Sequence, residues 1–330
     1  MKKSSKIIMK IGVLGAGHLG KIHIRILKAL DSFELVGFYD QSQEISQQVE
    51  EEYGVKAFSS REELIEQVDA IDIVTTTISH YESAVEALKA KKHVFVEKPI
   101  TESVQEAQAL SALRKKVGTK LQVGHVERFN PAFLEAEKHL STPMFIESHR
   151  LAQFNPRGTD VSVVLDLMIH DLDVLLTMVK SEVKNVQASG VCIMSKTPDI
   201  CNARIEFENG CVANLTASRM SMKNMRKTRV FQGDAYISID FLEKATEVIK
   251  MKNLKPGEQE NPFGIYFENP EHGVKKEIQS FSLNCKENNA IQEELLSFHH
   301  SIATNSTPKV SLTDGMKALE LAKLISEKIK

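Results

Sequence analysis

The feature that most constrains this chain is an alternation running from residue 10 to about residue 123. Short apolar runs, "KIGVLG", "FELVGFYD", "AIDIVTTT", "HVFVE" and "KLQVGH", are separated by stretches of helical character. Those stretches reach through Leu30, then cover about 43–53, 80–90 and 102–117. Strands separated by helices pair in parallel, because a parallel connection needs a long crossover. The spacing predicts a doubly wound parallel α/β domain over residues 1–123. Ser60 with Glu63 and Ser79 with Glu82 read as capping boxes at helix starts.

From about residue 124 the pattern changes. "MFIESHRL", "VKNVQASGVCIM", "ARIEFENGCVANLTASR" and "TRVFQGDAYISIDF" are strand-like, and Asn209-Gly210 and Gly233-Asp234 sit where hairpin turns belong. Helices are expected over 162–179, 288–304 and 312–328. Residues 124–330 therefore read as an α+β domain with a large, mainly antiparallel open sheet covered by helices on one face. The last helix can pack back on the first domain. "FQGDAYISIDF" and "CVANLTASR" carry apolar residues in both alternating phases, more than a one-sided sheet needs. This predicts a homo-oligomer, a dimer or tetramer, built on the uncovered face.

Composition narrows the function. A chain of 330 residues suffices for two domains. A net charge of -2 gives no global field directed at nucleic acid or an anionic membrane, and neither is expected as a partner. No run approaches the roughly 18 apolar residues of a membrane span. The basic start and apolar run of "MKKSSKIIMKIGVLGAG" imitate a secretion signal, but Lys10 interrupts the run and a glycine turn follows. The 4 cysteines form no CxxC pair, which predicts reduced thiols and a cytoplasmic location, with neither disulfides nor a zinc site.

Gly15-x-Gly17-x-x-Gly20 follows the first strand and opens the first helix, and Asp40 ends the second strand. Gly15 permits the tight turn, Gly17 lets the backbone approach a pyrophosphate, and Gly20 allows close helix–strand packing. Asp40 is placed to meet an adenosine ribose, and it repels a 2′-phosphate, so NAD is favoured over NADP. The competing reading of Asp40 is a turn residue at a strand end. The expected cofactor contacts are Gly15, Gly17, His18, Leu19 and Gly20, then Asp40 and Gln41, then Thr75, Thr76 and His80, and finally Glu97 and Lys98.

In "VVLDLMIHDLDVLLTMV", Asp166, His170, Asp173 and Thr177 recur at spacings of four, three and four, one face of a helix. A carboxylate beside an imidazole fixes its tautomer and stabilises the imidazolium, which makes His170 a candidate general base. The competing reading is a structural Asp–His pair buried between helix and sheet. His299 and His300 read as a surface pair, and His23 as a residue near the surface of the first domain. No histidine belongs to a ligand-spaced cluster, so no metal is assigned.

"VFVEKP" ends a strand-like run in Glu97, Lys98 and Pro99. Pro99 restricts the residue before it. A lysine there stands at the carboxyl edge of the sheet, where such folds bind ligands. "GAGHLGKIH", this Glu-Lys-Pro and Asp166-x-x-x-His170 together make the chain similar to the glucose–fructose oxidoreductase/inositol dehydrogenase (Gfo/Idh/MocA) family of NAD(P)-dependent oxidoreductases. The resemblance extends to "PKVSLTDGMKALELAKLI" near the carboxyl end. It implies a Rossmann first domain, with Lys98 and His170 beside the reacting carbon, a Lys98–Pro99 peptide that is often cis, and oligomers formed through the second domain's sheet. Thr76 departs from the family's usual Thr-Pro at that place. "VGHVERFNPAF" and "VVLDLMIHDLDVLL" resemble the branch that includes UDP-N-acetylglucosamine 3-dehydrogenases.

These readings predict an NAD-dependent dehydrogenase acting on a CH–OH group of a sugar. A nucleotide sugar such as UDP-N-acetylglucosamine, oxidised at its 3-position, leads. The alternatives are an inositol or other sugar dehydrogenase of the same family and a non-catalytic dinucleotide-binding sensor. The candidate substrate contacts are His125, Arg128, Arg157 and Asp173. Arg150 and Arg219 are further candidates for a diphosphate, since arginine forks suit phosphate oxygens.

Overall fold

The computed structural model describes residues 8–155, 161–254, 258–260, 262, 264–269 and 274–329. The chain divides into two compact units. One is Met1–Phe129 with Asn289–Glu320, and the other is Asn130–Asn288 with Leu321–Lys330.

In the first unit the elements follow in the order β1 (Met9–Leu14), α1 (His18–Ala29), β2 (Phe33–Tyr39), α2 (Gln43–Tyr53), α3 (Arg61–Glu66), β3 (Ala70–Ile73), α4 (His80–Lys89), β4 (His93–Glu97), α5 (Val104–Val117) and β5 (Leu121–Gly124). The five strands form one parallel sheet in the order β2-β1-β3-β4-β5. β3 and β5 are buried along their whole length, as strands covered on both faces must be. Helix ends carry the expected chemistry at some places and not others. Ser60 accepts from the Glu63 backbone, but the Glu63 carboxylate accepts from Ser59 Oγ at 2.8 Å. Ser79 makes no side-chain cap, because a 3-10 turn at Thr77–Ser79 leads directly into α4. The complete capping box is at Ser103 and Glu106, opening α5.

The carboxyl-terminal part of the chain returns to this unit. α8 (Ala290–Ala303) packs on α1 and β4, with Phe298 edge-on to Phe95 at 5.9 Å between ring centres. The segment before the final helix pairs with the outer edge of β5, the last strand of the sheet, where Val123 N–H donates to Val310 O at 3.1 Å.

The second unit contains α6 (Pro131–Glu137), β6 (Pro143–Leu151), α7 (Ile169–Met178), β7 (Val183–Val191), β8 (Ile200–Phe207), β9 (Val212–Ser218), β10 (Met225–Gln232), β11 (Ala235–Asp240), β12 (Ala245–Asn253), β13 (Ile265–Asn269) and β14 (Val274–Leu283). Its nine strands run in the order β13-β14-β12-β11-β10-β6-β9-β8-β7. Among the described residues only β6 with β9 is parallel, and the other neighbours are antiparallel. Gly210 takes φ +84 in the turn between β8 and β9, which explains glycine there. α9 (Leu312–Lys328) closes the chain.

Strand alternation separates the two faces of the second sheet. Ile146, Ala203, Ile205, Ala213, Leu215, Val230, Ile237 and Ile239 are buried on the face that α6 and α7 cover. The outward phase of β9 and β11 is more polar than the sequence reading held, with Asn214, Thr216, Ser238 and Asp240 alternating against that core. The outward apolar surface is an aromatic row instead. Phe145, Phe231 and Tyr236 stand side by side with ring centres 5.9 and 5.0 Å apart.

Candidate cofactor and catalytic residues

In the first sheet the chain order reverses between β1 and β3, and ligands of open α/β sheets bind outside the strand ends at such a point. A cavity of about 470 Å³ opens there. Its walls include Gly15, Gly17, His18 and Leu19 from the first turn, Asp40 and Gln41 after β2, and Thr75 and Thr76 after β3. Arg61, Ser79 and Glu82 complete it from α3 and the start of α4. The sequence reading missed these three, because no short-range spacing links them to the glycine loop.

The three glycines are required for different reasons. Gly15 has φ +95, and a Cβ on it would stand 2.7 Å from Val74 O. A Cβ on Gly20 would meet Gly15 O at 2.1 Å. At Gly17 no protein atom lies within 4 Å of where a Cβ would stand. The protein itself therefore demands Gly15 and Gly20, whereas the space beside Gly17 is left open at a helix amino terminus, as a pyrophosphate needs. Asp40 is held by two backbone donors. Ala16 N–H donates to Oδ2 at 2.7 Å and Ser42 N–H to Oδ1 at 2.9 Å. It is thus a turn residue and a wall of the cavity at once.

Lys98 follows β4 directly, and the Lys98–Pro99 peptide is cis. Glu97 is buried, and its Oε2 accepts from Lys98 N–H at 3.1 Å. Gly124 lies opposite Glu97 in the β4–β5 register, and a Cβ on it would collide with that carboxylate at 2.7 Å. His80 stands behind the cavity rather than in its lining. Its Nδ1 lies 2.8 Å from Pro99 O and its Nε2 3.0 Å from Thr75 O. Burial outweighs these two contacts and holds its pKa below the ordinary 6.5. A neutral ring donates to one of the two carbonyls and links the Thr75 loop to the Lys98 turn.

His23 is not near the surface. It is fully buried on α1, with Nδ1 2.9 Å from Asp72 Oδ2 and Nε2 3.5 Å from Glu97 Oε1. Glu294 of α8 is buried beside them, so that His23, Glu97 and Glu294 place ligand-type atoms within 4.8 Å of one another. No spacing in the sequence announces this cluster, because its members come from α1, β3, β4 and α8. His125 and Arg128 are also buried in this unit, just after β5, and Arg128 Nη2 lies 3.6 Å from Asp314 Oδ1.

In the second unit the 162–179 segment is not a uniform α-helix. Val164–Met168 forms a π turn that runs into α7. Asp166 lies in the π turn and His170 in the first turn of α7, so their spacing of four spans a change of helical pitch. Such π turns are frequent at functional sites. Both residues are half-buried, whereas Asp173 is buried. Thr177 Oγ1 bonds back to Asp173 O at 2.8 Å. Arg150 forms a buried two-pronged pair with Asp171, both contacts at 2.9 Å, so its fork is engaged by a carboxylate. Arg219 donates to Val161 O at 2.6 Å. Arg157 lies outside the described residues.

Fold and cavity fit a dinucleotide-binding protein, and comparison with known proteins gives its class. The family model described as "Oxidoreductase family, NAD-binding Rossmann fold" matches residues 9–125, and the GFO/IDH/MocA C-terminal domain matches residues 137–237. UDP-N-acetylglucosamine 3-dehydrogenase from Acidithiobacillus ferrooxidans is 37% identical over 243 residues, 73% of this chain and 77% of that protein. A solved structure of that enzyme superposes with a TM-score of 0.87 and 30% identity over 98% of both chains. Myo-inositol 2-dehydrogenase from Thermotoga maritima is 26% identical over 332 residues, 95% of this chain and 94% of that protein. The chain belongs to the Gfo/Idh/MocA family of oxidoreductases and is a dehydrogenase acting on CH–OH groups.

Proposed function

We propose that the protein is an NAD-dependent dehydrogenase that oxidises a ring hydroxyl of a nucleotide sugar to a ketone, with the 3-position of UDP-N-acetylglucosamine as the leading substrate. The observation that carries the substrate class is the similarity to UDP-N-acetylglucosamine 3-dehydrogenase, which is closer than that to the inositol enzyme, 37% against 26% identity. The cofactor choice rests on Asp40. Its carboxylate is fixed in the cavity wall by two backbone N–H groups, where it favours a ribose hydroxyl over a 2′-phosphate.

The proposed division of labour assigns residues 1–123 to the cofactor and residues 124–330 to substrate and assembly. Gly17, His18 and Leu19 hold the pyrophosphate against the helix terminus, and Asp40 and Gln41 hold the adenosine end. The nicotinamide, when bound, supplies the hydride acceptor. His170 takes the hydroxyl proton, with Asp166 orienting the imidazole. The Lys98 ammonium stabilises the alkoxide that develops as the proton leaves. His125, Arg128, Arg157 and Asp173 are assigned to the substrate. The outward aromatic row of Phe145, Phe231 and Tyr236 is assigned to contact with a second copy of the chain, in a homodimer or homotetramer.

Native mass spectrometry of the purified protein tests cofactor and substrate class together. Retained small molecules with the masses of NAD and a uridine diphosphate sugar support the reading. Retention of NADP, or of a cyclitol, would replace the corresponding part of it.

A further inference from the structure

Four ionisable side chains lie together inside the first unit, and the reaction scheme assigns none of them a chemical step. They are His23 on α1, Asp72 on β3, Glu97 on β4 and Glu294 on α8. His23, Asp72 and Glu294 are all 0% exposed. His23 bridges the two strands, with Nδ1 2.9 Å from Asp72 and Nε2 3.5 Å from Glu97. Both oxygens of Glu294 are buried without a hydrogen-bond partner, one of them within 4.8 Å of His23 and Glu97 ligand-type atoms, while its backbone carbonyl accepts from Gln122 Nε2 at 2.7 Å. The other oxygen of Glu97 accepts from the backbone of Lys98.

Burying isolated charges costs several kcal/mol each, so such a cluster persists only if protons and charges are shared. Burial opposes the His23 cation, but the Asp72 carboxylate and then Glu97 outweigh it and hold the ring's pKa well above 6.5. Burial also pushes Asp72 up, and His23 pulls against that rise. Glu97 stays below the ordinary glutamate value, because His23 and Lys98 overcome its burial. For Glu294, burial and then the charge of Glu97 act in the same direction and raise it well above 4.5. The arrangement that fits these directions is an imidazolium hydrogen-bonded to Asp72 and ion-paired with Glu97, with a neutral Glu294 alongside; His23 Nε2, Asp72 Oδ1 and both Glu294 oxygens make no hydrogen bond.

We propose that His23, Asp72 and Glu294 are positioning residues for Lys98: together they fix the Glu97 carboxylate, and Glu97 fixes the backbone from which the Lys98 ammonium is presented. The catalytic consequence rests on the dehydrogenase reading above. α1 carries the glycine loop at its amino terminus, so the same cluster ties the cofactor helix to the Lys98 strand. α8 brings the buried Glu294 in from the returning segment. The donor set also fits a divalent cation, two carboxylates and an imidazole whose other nitrogen faces a carboxylate, and the experiment separates the two.

Three full-length variants are compared with wild type: Glu294→Ala, Glu294→Gln, and the charge-balanced double variant His23→Gln with Asp72→Asn. The readouts are NAD affinity, kcat and KM with UDP-N-acetylglucosamine, and the pH profile of Lys98 acetylation by acetic anhydride, followed by peptide mass spectrometry. Glu294→Ala and the double variant are expected to bind NAD within about threefold of wild type, to lower kcat about tenfold or more with little change in KM, and to displace the acetylation profile. That is the scale for misplacing a reacting group by a fraction of an ångström. Glu294→Gln restores both, because a neutral amide replaces a neutral carboxyl. An acetylation profile and kcat unchanged in both disruptive variants overturn the proposal. So does stoichiometric zinc in the wild type, found by elemental analysis and lost in Glu294→Gln. Failure of all three variants to fold reduces the cluster to scaffold and overturns it as well. A wild type inert towards nucleotide sugars defeats only the substrate assignment, since the acetylation profile still reads the cluster.

Discussion

The two units hold their candidate residues by different means. In the first, the candidate cofactor contacts depend on backbone at strand ends: a positive φ at Gly15, open space at Gly17, and an Asp40 carboxylate tied to two backbone N–H groups. In the second, Asp166 and His170 sit where a π turn gives way to an α-helix, and the outward aromatic row is assembled from β6, β10 and β11. The first arrangement is local and tolerates no change of backbone. The second is built from side chains projecting from helical and strand backbone.

Lys98→Ala gives the largest expected effect on this contrast. Its side chain is assigned to chemistry while its backbone is fixed by Glu97, so the variant should fold and bind NAD within a few fold while kcat falls by about two orders of magnitude or more. Steady-state kinetics with a parallel NAD titration checks this. A matching loss of NAD affinity would place Lys98 with the cofactor instead of the reacting carbon.

The glycine loop sharpens the contrast within a single turn. Gly17→Val meets no protein atom within 4 Å of its new Cβ, so its melting temperature should stay near wild type while NAD affinity falls about tenfold or more, the scale of losing close backbone approach to a phosphate. Gly20→Ala drives a Cβ to 2.1 Å from Gly15 O and should cost about 1–3 kcal/mol or more of stability, the range for overpacking. Calorimetry of the two variants checks both. Equal stability losses would mean that the space beside Gly17 is structural.

The outward sheet face supplies a smaller effect. Phe231→Glu with Tyr236→Lys removes the centre of the aromatic row without touching the covered face. Light scattering should fall from an oligomer to the 37.0 kDa of one chain, with NAD affinity unchanged. A wild type already at that mass removes the assignment of the row to a second copy.

The smallest effect is a pH dependence confined to the first unit. Folded His23 keeps its proton to higher pH than the unfolded chain, so its contribution to stability is complete below about 6.5 and is lost as pH rises through its raised value. Glu294 has the same sign. The native state holds a proton that the unfolded chain releases above about 4.5, so stability declines from there towards its raised value. Glu294→Gln removes the second contribution, and its melting temperature should decline less steeply than that of wild type over that interval. Parallel curves would show that Glu294 is ionised in the folded protein.

What the sequence disclosed follows the same division. The glycine loop was legible because it lies within one strand–turn–helix unit, and the parallel sheet and Asp40 because strands alternate with helices and Asp40 follows the second strand. So was the Lys98 turn, where Pro99 marks the break. His23 was misplaced at the surface because its partners lie on three other elements, 49, 74 and 271 residues further along at Asp72, Glu97 and Glu294. The capping box assigned to Ser79 failed because a 3-10 turn precedes α4, and the real box at Ser103 and Glu106 went unread. The Asp166–His170 spacing was legible, but not the π turn that it spans, which has no composition of its own. β12, β13 and β14 were missed because Lys and Glu are frequent along β12 and β14, which blurs the alternation that marks a half-buried strand.

The central claim is turnover at a sugar hydroxyl, and the formation of NADH by the wild-type protein with UDP-N-acetylglucosamine tests it most directly. NADH absorbance should rise with time, a product two mass units below the substrate should accumulate with it, and both should vanish in the His170→Ala variant. Binding of NAD and of the nucleotide sugar with no NADH formed, across UDP-N-acetylglucosamine, related nucleotide sugars and inositols, would contradict the account and leave a dinucleotide-binding sensor on the same fold.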